Sequence, residues 1–146
     1  MQGLLLSVSV RLNTPVQAMV SELVDVPMVV GVLRPVLLLP GVALSGLTTA
    51  QLYTILLHEV AHVRRNDAWV NLFQGLVEAV LFFHPAIWWI SRRIRAEREL
   101  CCDDVVARHA DPLLYARALL FLEEHSTRVP APVSYTHLRA HETTDT

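Results

Sequence analysis

The sequence predicts a mainly α, α+β fold: a short β element near the N-terminus, then a series of helices that includes a hairpin suited to a membrane. Three observations carry this reading. Val- and Leu-rich runs punctuated by Pro and Gly fill the N-terminal part. From Thr48 onward, apolar residues recur at helical spacing. Between Ala68 and Ile90 the chain is almost wholly apolar.

A chain of 146 residues holds one modest domain with a real core. Hydrophobic residues make up 53% of it, and the mean hydropathy of +0.39 exceeds what a soluble domain needs. A net charge of −2 argues against direct contact with nucleic acid. Cys101 and Cys102 are adjacent and poorly placed to staple a fold, and no cleavable signal peptide opens the chain. The site is therefore expected in a reducing compartment.

"LLLSVSVRLNTPVQ" and "VPMVVGVLRPVLLLPG" read as two to four short strands with tight turns. Pro35 marks an edge strand or a turn, and the abrupt apolar start suggests sequence further upstream. "SGLTTAQLYTILLHEVAHVRR" reads as a helix. Thr48 caps it, Gln51 completes a capping box, and the terminal Arg pair suits the macrodipole. The stretch from Ala68 to Ile90 has a length that suits a membrane span, but Asp67, Asn71, Gln74 and Glu78 fall on one face and form a polar stripe. Pro85 should kink or end that helix. The aromatic pairs Phe82-Phe83 and Trp88-Trp89, followed by Arg92, Arg93, Arg95 and Arg98, look like a cytoplasmic membrane boundary. A long helix is expected from Ala86 to about His109, then a second one with Asp111 as N-cap and Pro112 at its first position. Residues 1–129 form the domain. Residues 130–146 read as a linker and a non-native tail, which discounts His137 and His141 as ligands.

The chemistry lies in "HEVAH". On a helix, His58 and His62 are one turn apart and offset by about 40°, so both imidazoles can face one ion. Glu59, rotated about 100° from His58, is poorly placed to join that tetrahedron but can reach a water bound to the metal. Two His, a Glu and a helix with an apolar back point to a single zinc ion per chain, with Glu59 as general base. A third protein ligand is required. The extended form of the motif is absent, since Arg65 and Ala68 occupy its further positions. Glu99 is the best candidate, one turn from Asp103 on the same helix face. Glu78, Cys101 and Cys102 remain open, and Glu97 points away toward Arg93 or Arg98. Asp103 and Asp67 are the carboxylates expected behind the ligating histidines. Glu78 in the polar stripe and His84 before Pro85 are candidates for lining the cleft.

The runs "VVGVLRPVLLLP", "LLHEVAHVRRND", "FFHPAIWWISRRIRAERELCCDD" and "DPLLYARALL" resemble, in that order, the BlaR/MecR family of membrane metallopeptidases, related to the Ste24/HtpX gluzincins. The resemblance covers about Pro27 to Glu124. It implies a gluzincin-like zinc peptidase core among transmembrane helices, at the bacterial cell membrane with the active site facing the cytoplasm. It implies His58, His62 and Glu99 as zinc ligands, the last through an E-x-x-x-D motif that ends at Asp103. It also implies an antirepressor role, in which engagement of a sensor triggers cleavage of a protein target such as a transcriptional repressor. No Ser-x-x-Lys motif is present in the sequence, so the signal stays open. An extended substrate is expected along an edge strand near Val29 to Leu39. The competing readings are a non-catalytic zinc-binding signalling scaffold and a housekeeping membrane protease of Ste24/HtpX type.

Overall fold

In the computed structural model, which describes residues 2–126, six helices and three strands follow one another in the order α1 (Gln2–Arg11), β1 (Gln17–Val20), β2 (Met28–Val30), β3 (Val36–Leu39), α2 (Gly41–Gly46), α3 (Thr49–Arg64), α4 (Asp67–Val80), α5 (Pro85–His109) and α6 (Pro112–His125). The linker and tail expected at residues 130–146, with His137 and His141, lie outside the described residues.

The first run, expected as a strand, is the helix α1. Alternation of Ser and Val in "SVSV" imitates a strand, yet Leu5, Val8 and Leu12, spaced as on a helix, are the residues buried in the core. Packing of that stripe against α3 outweighs the β-propensity of the valines. The β element is a three-stranded sheet in the order β1-β3-β2, with β3 parallel to β1 and antiparallel to β2. Pro35 lies in the turn before β3. That turn opens at Gly31, whose φ of +90° and whose approach to the Arg34 carbonyl, 2.7 Å from where a Cβ would sit, require glycine. The region near Val29 to Leu39 thus divides: β2 is an edge strand, while β3 is central and buries Leu37 and Leu39.

α3 is the axis of the core. Leu56, Leu57 and Val60 on it are fully buried, against Val8 of α1, Leu37 and Leu39 of β3, Val106 of α5 and Ala118 of α6. Its start is the expected capping box: the Thr48 hydroxyl accepts from the Gln51 amide while the Gln51 side chain accepts from the Thr48 amide. Its end is a sharp reversal through Asn66 in the left-handed region, φ 58°, a conformation that asparagine tolerates better than most residues. This reversal folds Asp67 back beside His62.

The apolar stretch Ala68–Ile90 is not one helix. α4 stops at Val80, and α5 starts at Pro85, with His84 Nδ1 accepting from the Ala86 amide as its cap. Proline supplies the break because it fits only the first turn of a new helix. Among the described residues no helix is long and apolar enough to cross a membrane. The polar stripe of α4 is turned inward onto α5: Gln74 is buried and donates to the Ser91 carbonyl at 2.9 Å, and Glu78 pairs with Arg95 at 2.8 Å. The apolar side is turned out, with Leu72, Phe73, Leu76, Phe82, Phe83 and Trp89 all more than half exposed. α6 begins as expected, the Asp111 side chain accepting from the Leu113 amide.

Candidate functional site

His58 and His62 sit on the last two turns of α3, where the capping box at one end and the core contacts along the back fix the rotation of the helix. Their Nε2 atoms are 3.1 Å apart. Glu99, from the middle of α5, places Oε2 3.5 Å from His58 Nε2 and 3.6 Å from His62 Nε2. Three ligands held about 2.0–2.1 Å from a tetrahedral zinc are about 3.3 Å from one another. The donor set and its spacing therefore fit a metal of that kind. The imidazoles are largely covered, at 13% and 21% exposure, while the Glu99 side chain is 57% exposed, so the open side of the site faces a cleft.

Each imidazole has a carboxylate behind it. His62 Nδ1 is 2.7 Å from Asp67 Oδ2, on a buried side chain at the head of α4. His58 Nδ1 is 3.1 Å from Asp103 Oδ1, one turn beyond Glu99 on α5. Such contacts occupy Nδ1 of each ring and turn Nε2 toward the centre. Burial, reinforced by the neighbouring His62, pushes the His58 imidazole below its ordinary value, so it stays neutral and free to ligate.

Glu59 lines the adjoining cleft with Glu99 and His62. Burial, and then the charge of Glu99, raise its carboxyl from 4.5 to about 8. A carboxyl poised near neutrality is the setting of a general acid–base. The cleft encloses about 480 Å³ and runs between β2 with its turn (Met28, Val29, Val32, Leu33) and the start of α4, where Trp69 forms its apolar wall.

Several other candidates fall elsewhere. Glu78 is held by Arg95 and Gln74 within the hairpin, and His84 caps α5 at the exposed tip; neither lines the cleft. Glu97 is exposed and paired with Arg93 at 2.9 Å. Cys101 is exposed, whereas Cys102 is buried. The Cys102 Sγ lies 3.4 Å from His62 Nδ1, the nitrogen that faces away from His58, so it cannot share a centre with both histidines. Together with His62 and Asp67 it forms a second close group of ligand atoms. Burial and then Asp67 hold its thiol up at about 12, which keeps it neutral.

Sequence reasoning missed three contributors. Tyr115 of α6 puts its hydroxyl 2.8 Å from both His58 Nδ1 and Asp103 Oδ1. Buried Arg98 donates to the Asp67 carbonyl at 3.4 Å, and Arg65 donates to the Arg98 carbonyl at the same distance. These two Arg contacts tie α5 to the α3–α4 turn and so place Glu99 opposite the histidines. The signal available for Tyr115 was a phenol on the apolar face of an amphipathic helix, where a buried hydroxyl needs a partner.

The family model described as BlaR1 peptidase M56 matches residues 5–145. The regulatory protein BlaR1 of Bacillus licheniformis is 33% identical over 97 residues, which is 66% of this chain and 16% of that protein. The methicillin resistance mecR1 proteins of Staphylococcus aureus and Staphylococcus epidermidis are each 26% identical over 104 residues, 68% of this chain and 18% of theirs. The chain thus spans less than a fifth of the length of these curated relatives. The family match takes in α3, α5 and α6 entire, and with them every residue of the His58–His62–Glu99 cluster; the chain belongs to the BlaR1 peptidase M56 family.

Proposed function

We propose that this chain carries the catalytic core of a zinc endopeptidase of the membrane, one that cuts a cytoplasmic protein such as a transcriptional repressor in response to a signal sensed elsewhere in the full protein. The observation that supports it most is the convergence of His58, His62 and Glu99 within 3.1 to 3.6 Å at the end of a cleft that also holds Glu59.

In this reading His58, His62 and Glu99 would hold one zinc ion, which would supply Lewis acidity and make an attacking water easier to deprotonate near neutral pH. Asp67 and Asp103 orient the two imidazoles. Glu59 accepts the proton of the attacking water as the new C–O bond forms, and then delivers it to the nitrogen released when the C–N bond breaks. Glu59, which burial keeps protonated, would be ionised beside a bound divalent cation and so would be ready to act as the base. The outer edge of β2 forms one wall of the cleft and offers backbone groups to an extended peptide, as in strand addition. The apolar lining by Val29, Val32, Leu33 and Trp69 suits an apolar substrate side chain.

Association with the membrane is supported by the inverted polarity of the α4–α5 hairpin. It buries Gln74 and Ser91, holds Glu78 partly covered against Arg95, and presents aromatic and aliphatic residues outward, with Arg92 and Arg93 exposed beside them. Such a surface suits lipid or the transmembrane helices of the full protein.

Cleavage of a peptide library by the purified protein tests the reading. Activity should vanish in chelator, return with zinc, and be lost in Glu59→Gln while that variant retains its metal. Metal retained in wild type without any cleavage would favour the non-catalytic scaffold.

A further inference from the structure

We infer that Tyr115 is a positioning residue of the metal centre, its hydroxyl bridging Asp103 and His58 so that the His58 imidazole presents Nε2 to the ion. The inference rests on the zinc reading above and adds to it a residue from a fourth helix, α6.

The two histidines are supported unequally. Asp67 is 6% exposed and meets His62 Nδ1 directly at 2.7 Å. Asp103 is 46% exposed and meets His58 Nδ1 at 3.1 Å, where water competes for the same oxygen. Tyr115, only 9% exposed, fills this gap from the buried side. Its hydroxyl donates to Asp103 Oδ1 at 2.8 Å, and its oxygen lies 2.8 Å from His58 Nδ1. With the phenol proton committed to Asp103, the oxygen lone pairs accept the Nδ1 proton, and Nε2 is left as the free donor. The ring adds a second constraint: it stacks on the imidazole at 5.7 Å between centroids and 27° between planes, limiting rotation of His58 about its χ2. Filling of the core alone needs the ring; the hydroxyl at two hydrogen-bonding distances from the site is what a phenylalanine would not supply.

The test is the zinc dissociation constant, measured by chelator competition, alongside the visible spectrum of the cobalt-substituted protein and the melting temperature of the zinc-free chain. Tyr115→Phe keeps the ring and removes the bridge. It should weaken zinc binding about 10- to 100-fold and shift the cobalt bands, while the zinc-free melting temperature changes little. In the same series His58→Ala should abolish binding. If wild type binds zinc, His58→Ala does not, and Tyr115→Phe matches wild type in affinity and cobalt spectrum, the positioning role is overturned and the zinc reading stands. Absence of zinc binding by the wild type overturns both. Should Tyr115→Phe fold poorly, a fluorotyrosine placed at position 115 serves instead, because a more acidic phenol accepts less well from His58. Its zinc affinity should then drop below that of wild type, and an unchanged value would overturn the proposal.

Discussion

His62 Nδ1 lies 2.7 Å from Asp67 Oδ2, and the two residues are only five apart because Asn66 turns the chain through the left-handed region between them. In the proposed site a ligand and the carboxylate that orients it would thus come from one helix–turn–helix corner. The carboxylate is buried, so water does not relieve its loss. Asp67→Asn should therefore weaken zinc binding about 10- to 100-fold, and by more than Asp103→Asn, whose carboxylate is half exposed. Chelator competition on the two variants checks the order.

Zinc uptake should release a proton from Glu59. Without a cation its carboxyl titrates at about 8 rather than 4.5, so it is mostly protonated at neutral pH. A divalent cation favours the charged form and expels that proton. Affinity should then rise with pH up to about 8 and flatten beyond it as far as this group is concerned. Calorimetry in buffers of different ionisation enthalpy counts the proton, and Glu59→Gln should remove it while still binding metal. The folded-state value is the raised one, so the zinc-free chain is favoured below 4.5 and loses that stability as pH rises through about 8.

Gly46 faces Phe121 across the α2–α6 contact, and a Cβ there would collide with the ring. Gly46→Ala should lower stability by about 1–3 kcal/mol through overpacking. Zinc affinity should be nearly unaffected, since the contact is remote from the histidines. Denaturant unfolding of the zinc-free and zinc-loaded forms separates the two effects.

Thr48→Ala removes one arm of the capping box that starts α3. A loss of about 1 kcal/mol is expected by thermal unfolding, with the zinc site intact, because the histidines lie three turns further along.

Much of this arrangement was legible because it is written in short-range signals. The capping box at Thr48, the Asp111-Pro112 start of α6 and the Pro85 break are decided within one helical turn, and each stands where the residues put it. The i, i+4 spacing of the histidines likewise needs only a helix. α1 was misread as a strand because "SVSV" alternates locally, and its helical stripe becomes meaningful only once α3 is there to receive it. Glu78 and His84 looked eligible for the cleft because a polar stripe and a helix break do not say which neighbour they meet. The partner proved to be α5 in one case and the helix's own amide in the other. Tyr115 was missed for the same reason: 57 residues separate it from His58, and only the packing of α6 onto α3 brings them together.

Glu99 is the residue proposed to complete the site begun by His58 and His62. Metal analysis of purified Glu99→Ala tests it most directly, with Glu78→Ala as the comparison. Zinc should fall far below one per chain in Glu99→Ala, with the full complement in Glu78→Ala. A full complement in Glu99→Ala would contradict it.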